Sequence, residues 1–553
     1  VQELDDGHPR RWLILAVVAL GMFMALLDST IVNIAIPTIV SELKTTITHV
    51  SWVLNAYNIG LAALFLSFGR LADRFGQKLV FISGLLLFSL FSLACGLAPS
   101  IGWLIAFRVG QSVGAAAMVP VSLTILMGAF PRRQHGMATA MWGAIGAIAA
   151  AVGPTLGGVL VQYLSWHWIF FVNVPLGVIA VAGAIILVPE HRRDARGVGV
   201  DLPGIALSGL GFFALTLGLI QGNSWGWASG RVIGLLVGAV VVIVAFGLWE
   251  WLSRSPMLDL SLFRIRSFSA ASASMFFVGI AYGAALLLLV IFLVDVLGYT
   301  ELRAAVCVTP MPAVGLVMAP FVGRMLDRIG PRFLAALGGL FFVASLLLLS
   351  QLNATSTYWD VTWRFLSMGA GFSFTMPSLT AAGMGSLPDR SGGVGAGVIN
   401  TSRQFGMVMG VAILVAVFAH TMAGSVNHAV VEAKAYVTAQ GQIPAAAKQE
   451  IITSIEKTAA ENQAQGPQAG ATANPLAGLP PAAPGSPEAA QQKQLSEKLG
   501  AIFKTNIGHA FRWPYWAAAF AALLSIPFSL MTGRRLGQHR GDQERTAGEG
   551  EVR

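Results

Sequence analysis

Charge is scarce in this chain. Only 11% of its 553 residues are Asp, Glu, Lys or Arg, while 55% are hydrophobic and the mean hydropathy is +0.70. A soluble domain carries about 25% charged residues. This chain cannot cover itself with polar surface, which excludes a soluble globular fold. Cysteine is nearly absent as well. Cys95 and Cys307 both lie in apolar runs, leaving no disulfide framework and no metal pair. No histidine falls in the middle of an apolar run, which argues against a histidine proton relay. There is no Gly-x-x-x-x-Gly-Lys-Ser/Thr sequence, so no P-loop ATPase. No nucleophile elbow or zinc-ligand cluster stands out, and an enzyme is not expected.

What the chain does have is long apolar runs. A span needs about 20 apolar residues, and about fourteen fit: roughly 12–36, 49–69, 78–97, 102–128, 137–162, 167–189, 202–221, 231–251, 269–296, 303–325, 332–351, 359–383, 393–419 and 512–532. The expected fold is an all-α polytopic membrane protein. The net charge of +9 would hint at nucleic acid in a soluble protein. Here most arginines fall in short loops on one side, including Arg70, Arg74, Arg132, Arg133, Arg192, Arg193, Arg264, Arg266, Arg324 and Arg328. That bias places both termini in the cytoplasm and explains the charge without nucleic acid. One long segment, 421–511, would then lie outside. It holds helix-like pieces near 445–452 and 494–499, and an Ala/Pro/Gly/Gln-rich stretch at about 463–487 that is expected to be flexible.

The chain also repeats itself. Gly69-Arg70-Leu71-Ala72-Asp73-Arg74-Phe75-Gly76 recurs as Gly323-Arg324-Met325-Leu326-Asp327-Arg328-Ile329-Gly330, an offset of 254 residues. Parallel halves related by an axis along the membrane normal are a known transporter plan. The expected organisation is a six-helix bundle over 1–198, two inserted helices over 199–266, a second six-helix bundle over 267–533 that includes the 421–511 loop, and a cytoplasmic tail over 534–553. In the repeated motif, Asp73 and its flanking arginines can pair with each other or with neighbouring helix ends in one conformation and part in another. The glycines permit a tight turn and close helix approach.

This duplicated loop resembles the signature of the major facilitator superfamily. Three further stretches narrow the resemblance. Gly143, Gly146, Gly153-Pro154 and Gly157-Gly158 look like the antiporter motif of its drug-exporting branches, a bent, closely packed helix taken to favour exchange over leakage. Leu27-Asp28-Ser29-Thr30-Ile31-Val32-Asn33-Ile34-Ala35-Ile36-Pro37 resembles the first-helix motif of the fourteen-helix drug:proton antiporter family. Trp52, Tyr57, Trp166-His167-Trp168, Phe170, Asn173, Pro175 and Gly177 fit the same family. The span-4 pattern keeps Arg108 and Gln111 but has Ser112 where the family has glycine. In that family the arginine is implicated in proton coupling. The resemblance covers nearly the whole chain and is weakest over 421–511.

Asp28 stands in the middle of the first apolar run, where a charge costs roughly 3 kcal/mol. An acid kept there is a functional candidate. Helical rise places Asp28 roughly 6 Å, and Arg108 roughly 10 Å, to the same side of the midplane. The repeat offset carries Arg108 next to Arg364, but carries Asp28 onto Tyr282. The arginine is roughly duplicated and the acid is not.

The resulting expectation is a proton-coupled antiporter in the plasma membrane that exports amphipathic drugs or toxic compounds from the cytoplasm. The alternative is an exporter of a dedicated lipid, siderophore or metabolite by the same mechanism. Asp28 and Arg108 would couple the proton. Gly69, Arg70, Asp73, Arg74, Gly76, Asp327 and Arg328 would gate; Gly146, Gly153, Pro154, Gly157 and Gly158 would form the antiporter motif. Asn55, Tyr57, Trp142, Tyr282, Phe372, Phe374, Asn400 and Arg403 are candidate cavity residues, with Asn58, Phe276, Phe277, Met311, Met376 and Gln404 beside them. Aromatic and Met side chains make adaptable apolar pockets. No cofactor is expected beyond the proton as coupling ion. The expected partners are a small amphipathic substrate, protons, membrane lipid and, through the loop, an unidentified envelope partner.

Overall fold

The structure is a computed structural model and describes residues 7–45, 47–190, 201–253, 256, 258–388, 391–440, 445–465 and 487–533. All regular structure among these residues is helical. In lipid every backbone polar group must be satisfied within the segment, which apolar helices achieve.

Six helices open the chain: α1 (Arg11–Glu42), α2 (Ile47–Phe75), α3 (Gln77–Gly96), α4 (Ile101–Ala129), α5 (His135–Tyr163) and α6 (Asn173–Leu187), the last preceded by a turn of helix at Trp168–Phe171. The hairpin α7 (Leu202–Trp225) and α8 (Gly230–Leu252) follows. The second set is α9 (Arg266–Ile291), α10 (Pro310–Ile329), α11 (Pro331–Leu349), α12 (Tyr358–Gly385) and α13 (Gly392–Ala439). Then come α14 (Ala445–Gln465), α15 (Pro487–Ala510) and α16 (Arg512–Met531).

Local sequence sets several of these boundaries. Asp201 and Ser229 cap α7 and α8 by accepting from the Gly204 and Val232 amides. Thr357 and Asp360 form a reciprocal capping box at the start of α12. The turns after α2 and α10 sit on Gly76 and Gly330, with φ of 101° and 88°, where a Cβ would be strained.

Thirteen helices among the described residues are long and apolar enough to cross a membrane. The expected twelfth span is also a helix, α12, but it is less apolar because Gly, Ser and Thr fill it. Its residues from Ser373 to Met384 are buried against neighbouring helices rather than presented to lipid, so small polar side chains are tolerated.

The packing repeats between the halves. In the first, α1 lies along α5 and α3 along α4; in the second, α9 lies along α13 and α11 along α12. The halves meet along two seams, α2 with α13 and α5 with α10. The α7 helix packs on both α2 and α13, so the inserted hairpin lies across the first seam. Phe212 of α7 meets Phe405 of α13 there, at 6.5 Å between ring centroids.

One boundary differs from expectation. The thirteenth span was expected to end near 419 in a long loop, yet α13 runs on unbroken to Ala439. Its apolar residues keep helical spacing past the apolar core, with Val426, Ala429, Ala433 and Val437 buried. The two helix-like pieces are α14 and α15. Ile451, Ile455, Leu495 and Leu499 pack on the α13 extension as a separate small core. Lys434 pairs with Glu456, and Asn506 Nδ2 donates to Glu432 Oε2 at 2.8 Å. The centre of the Ala/Pro/Gly/Gln-rich stretch, 466–486, lies outside the described residues, as do Arg192, Arg193, Arg196, Arg254, Arg390 and the 534–553 tail.

Candidate functional site

Asp28 and Arg108 form an ion pair, and both side chains are wholly buried. Five helices build the cage around them. The second oxygen of the α1 carboxylate accepts from Gln111 Nε2 of α4 at 2.9 Å and from Asn173 Nδ2 of α6 at 3.2 Å. Arg108 Nε donates to the Val53 carbonyl of α2 at 3.0 Å, and Nη1 also donates to Gln111 Oε1 at 2.8 Å. The Tyr57 ring lies 4.1 Å from the guanidinium carbon, and its hydroxyl donates to the Ala25 carbonyl at 3.0 Å. Asn173 Nδ2 also reaches Ser92 Oγ on α3 at 3.1 Å, which in turn donates to the Phe170 carbonyl at 2.9 Å. Every polar contact to Asp28 is a donor, which is the environment of an ionised carboxylate. Two atoms of the cage, Arg108 Nη2 and Asn173 Oδ1, are buried without a hydrogen-bond partner among the described residues. Protonating Asp28 would remove the only charge paired with Arg108 among the described residues. A buried cation left alone is strongly unfavourable.

Gln111, Asn173 and Ser92 were not among the candidate site residues. Gln111 had a readable signal, since it lies three residues from Arg108 and shares its helix face. Asn173 was readable only through the family resemblance, and Ser92 had no signal, because their neighbours come from distant parts of the chain.

The antiporter glycines press α5 onto the same helix that carries Asp28. A Cβ at Gly146 would lie 2.5 Å from Met22 Cε, at Gly153 2.0 Å from Thr30 Oγ1, and at Gly157 2.9 Å from the Ile31 carbonyl. Pro154 sits inside α5 between them. Gly158 is half-buried, and Gly143 faces open space.

The duplicated motif forms two latches between the halves, at the same end of the molecule. Asp73, at the end of α2, accepts from the Gly393 and Val394 amides at 2.9 and 3.0 Å, capping α13. Asp327, at the end of α10, accepts from the Gly136 and Met137 amides at 2.8 and 3.3 Å, capping α5. Each carboxylate meets the positive end of a helix dipole from the other half. Backbones touch beside each latch: a Cβ at Gly69 would be 2.3 Å from the Gly393 carbonyl, and one at Gly323 2.6 Å from Met137 Cα. Arg74 lies over the Phe75 ring at 5.3 Å, whereas Arg70 and the exposed Arg328 make no ion pair among the described residues.

The remaining candidates divide. Tyr57 belongs to the ion-pair cage. Trp142 is buried and donates to Ser122 Oγ at 3.0 Å. Phe374 is buried and stacks on Phe341. Asn400 is buried and bonds back to the Ala396 carbonyl at 3.0 Å. Tyr282 and Phe372 pack together at 4.9 Å between centroids. Asn55, Tyr282, Phe372 and Arg403 are only half-buried, deep within their helices. Arg364 does not repeat the role of Arg108. It folds back onto the start of its own helix, donating to the Asp360 carbonyl at 2.6 Å with the Asp360 carboxylate 3.6 Å away.

Residues 18–411 match the family model described as Major Facilitator Superfamily. The chain belongs to the Major Facilitator Superfamily. An uncharacterized transporter of this type from Mycobacterium tuberculosis is 36% identical over 412 residues, covering 73% of this chain and 70% of that protein. The tetracenomycin C resistance and export protein of Streptomyces glaucescens is 33% identical over 405 residues, 73% of this chain and 75% of its own. The multidrug resistance protein Stp of Mycobacterium tuberculosis is 34% identical over 408 residues, 74% and 76% of the two chains. The superfamily match stops at 411, before the α13 extension and its small helical module.

Proposed function

We propose that this superfamily member is a proton-coupled antiporter that exports amphipathic drugs or toxic compounds from the cytoplasm across the plasma membrane. The observation that carries the reading is the buried Asp28–Arg108 pair, an acid with no counterpart in the second half. Relatives named for drug resistance and export support the substrate class. The one-sided arginines support a cytoplasmic latch end. With both latches made, the bundle is then closed toward the cytoplasm.

In the cycle, Asp28 takes a proton from the outer side, and the weakened hold on Arg108 lets α1 and α4 repack. The tight α1–α5 contact transmits that shift to the seam, and the latches part. Substrate enters from the cytoplasm as the proton leaves. Each charge crossing 100 mV yields about 2.3 kcal/mol. One proton exchanged for one neutral molecule would sustain roughly a fifty-fold gradient on that term alone. The test is efflux into everted vesicles. Asp28→Asn should lose proton-driven transport while still binding ligand; undiminished pH-dependent transport would sink the reading.

A further inference from the structure

Beyond the latch, the α2–α13 seam changes character. Gly69 and Gly393 touch, and Gly397 packs on Phe65 and Leu66. Asn58 lies eleven residues from Gly69, and Gln404 eleven residues from Gly393. Eleven residues are three turns of helix, so both side chains return to the touching faces at equal depth. Yet both are half-buried and make no hydrogen bond among the described residues. Two unused amide groups therefore sit at the same depth beyond the latch.

Arg403 lies one residue before Gln404, about 15 Å along α13 from the latch contact. Its only hydrogen bond among the described residues is a weak one from Nη1 to Met407 Sδ, at 3.6 Å. The guanidinium thus points along α13 away from the latch, to the level where Met407 meets Gly283 of α9. Tyr282 is the neighbouring residue, close enough to interact electrostatically with Arg403, and its hydroxyl makes no hydrogen bond among the described residues. No Asp or Glu occurs in residues 47–72 of α2, anywhere in α9, or in residues 392–431 of α13. The acid of the first half is already engaged by Arg108. A cation at this depth without a counter-charge is costly and needs a named partner.

We propose that Arg403, with Tyr282, Gln404 and Asn58, is the recognition site for the anionic head of the substrate, so that the exported compounds are acidic amphipaths bearing a carboxylate or phenolate. This rests on the exporter reading and sharpens it. Arg403 supplies a forked, permanently charged donor set; Tyr282, Gln404 and Asn58 supply neutral donors. Phe372, packed against Tyr282, offers an apolar surface for the rest of the molecule. Exporting a monoanion while one proton enters moves two charges inward, against one for a neutral substrate. The accumulation set by membrane potential for the anion is therefore the square of that for its neutral analogue.

The test uses the full chain in proteoliposomes with imposed pH gradient and potential. Three fluorescent probes share one aromatic scaffold and carry a carboxylate, a carboxamide or a trimethylammonium group. The wild type should prefer the carboxylate probe, with twice the potential sensitivity of the carboxamide. In Arg403→Gln the carboxylate-to-carboxamide ratio should fall about tenfold or more, and Arg403→Lys should restore much of it. Tyr282→Phe keeps the ring on Phe372 and should cut the carboxylate probe alone, by roughly threefold; it carries the test should Arg403→Gln fold poorly. An unchanged ratio in both Arg403→Gln and Tyr282→Phe, or equal potential sensitivity for the two probes, overturns the anion site while leaving the exporter intact. Failure of the wild type to drive any probe with the pH gradient overturns the exporter reading itself.

Discussion

The two halves share a backbone plan and differ in what they bury. In both, the first helix lies along the fifth, and the second helix ends in an aspartate that caps a helix of the other half. The first half then encloses a paired charge, Asp28 with Arg108, under three amide and hydroxyl side chains. The second half places Tyr282 at the acid's repeat position, turns Arg364 back onto its own helix end, and leaves Arg403 with only a weak bond to Met407 Sδ among the described residues. Geometry that joins the halves has been kept twice. Among the described residues the buried acid–arginine pair lies in the first half, and Arg403, with no carboxylate partner there, lies in the second. A rocking carrier needs the joining geometry to be symmetric, because both latches must open together; nothing requires symmetry of the buried charges.

The contrast can be broken most severely at Asp28. Asp28→Asn should reduce proton-driven transport to the background of empty vesicles, whereas Tyr282→Phe should leave the pH-gradient dependence of carboxamide transport in place; matched flux assays of the two compare the repeat positions directly. The arginines come next. Arg108→Ala strands a buried carboxylate and should cost about 3–5 kcal/mol. Arg364→Ala removes a partly exposed pair at a helix end and should cost below about 1 kcal/mol. Thermal unfolding in detergent would read both, and equal losses would defeat the claim that their roles have diverged.

A smaller effect is expected within the antiporter motif. Gly153→Ala drives a methyl into Thr30 and should cost about 1–3 kcal/mol with slowed exchange. Gly143→Ala meets open space and should be close to neutral in the same unfolding and exchange measurements. Among the changes expected to alter transport, the smallest should come from the latches. Asp73→Asn and Asp327→Asn each weaken a carboxylate–helix-end contact, by about 1 kcal/mol, and should favour the latch-open form about fivefold. Labelling of a cysteine introduced at the latch end should rise equally in the two variants. A much larger rise in one would show that the latches are not equivalent.

How much of this was legible beforehand varies by residue. Apolar runs located nearly every helix, because lipid demands both length and apolarity from a single segment. The α13 extension was missed for the same reason: past residue 419 its apolar residues are thin but still helically spaced, so total hydropathy falls while the helix continues. Asp28 and Arg108 could be matched in depth by counting rise per residue. Their contact could not, because the rotation of each helix about its axis is set by packing. Gly153 and Gly157, which settle α5 against α1, are part of that packing.

The sequence by itself determined the class of protein, the order of its apolar helices, the two-fold repeat and the presence of one expensive acid. These are local or additive properties, readable one segment at a time. Only the tertiary structure decided which groups meet. It brought Gln111, Asn173, Ser92 and Val53 around the Asp28–Arg108 pair from four different helices. It turned each motif aspartate onto a helix end of the opposite half. And among the described residues it left Arg403 without a carboxylate partner, its Nη1 turned to Met407 Sδ. Each of these depends on relative helix rotation and on contacts more than fifty residues apart in sequence, which no local pattern encodes.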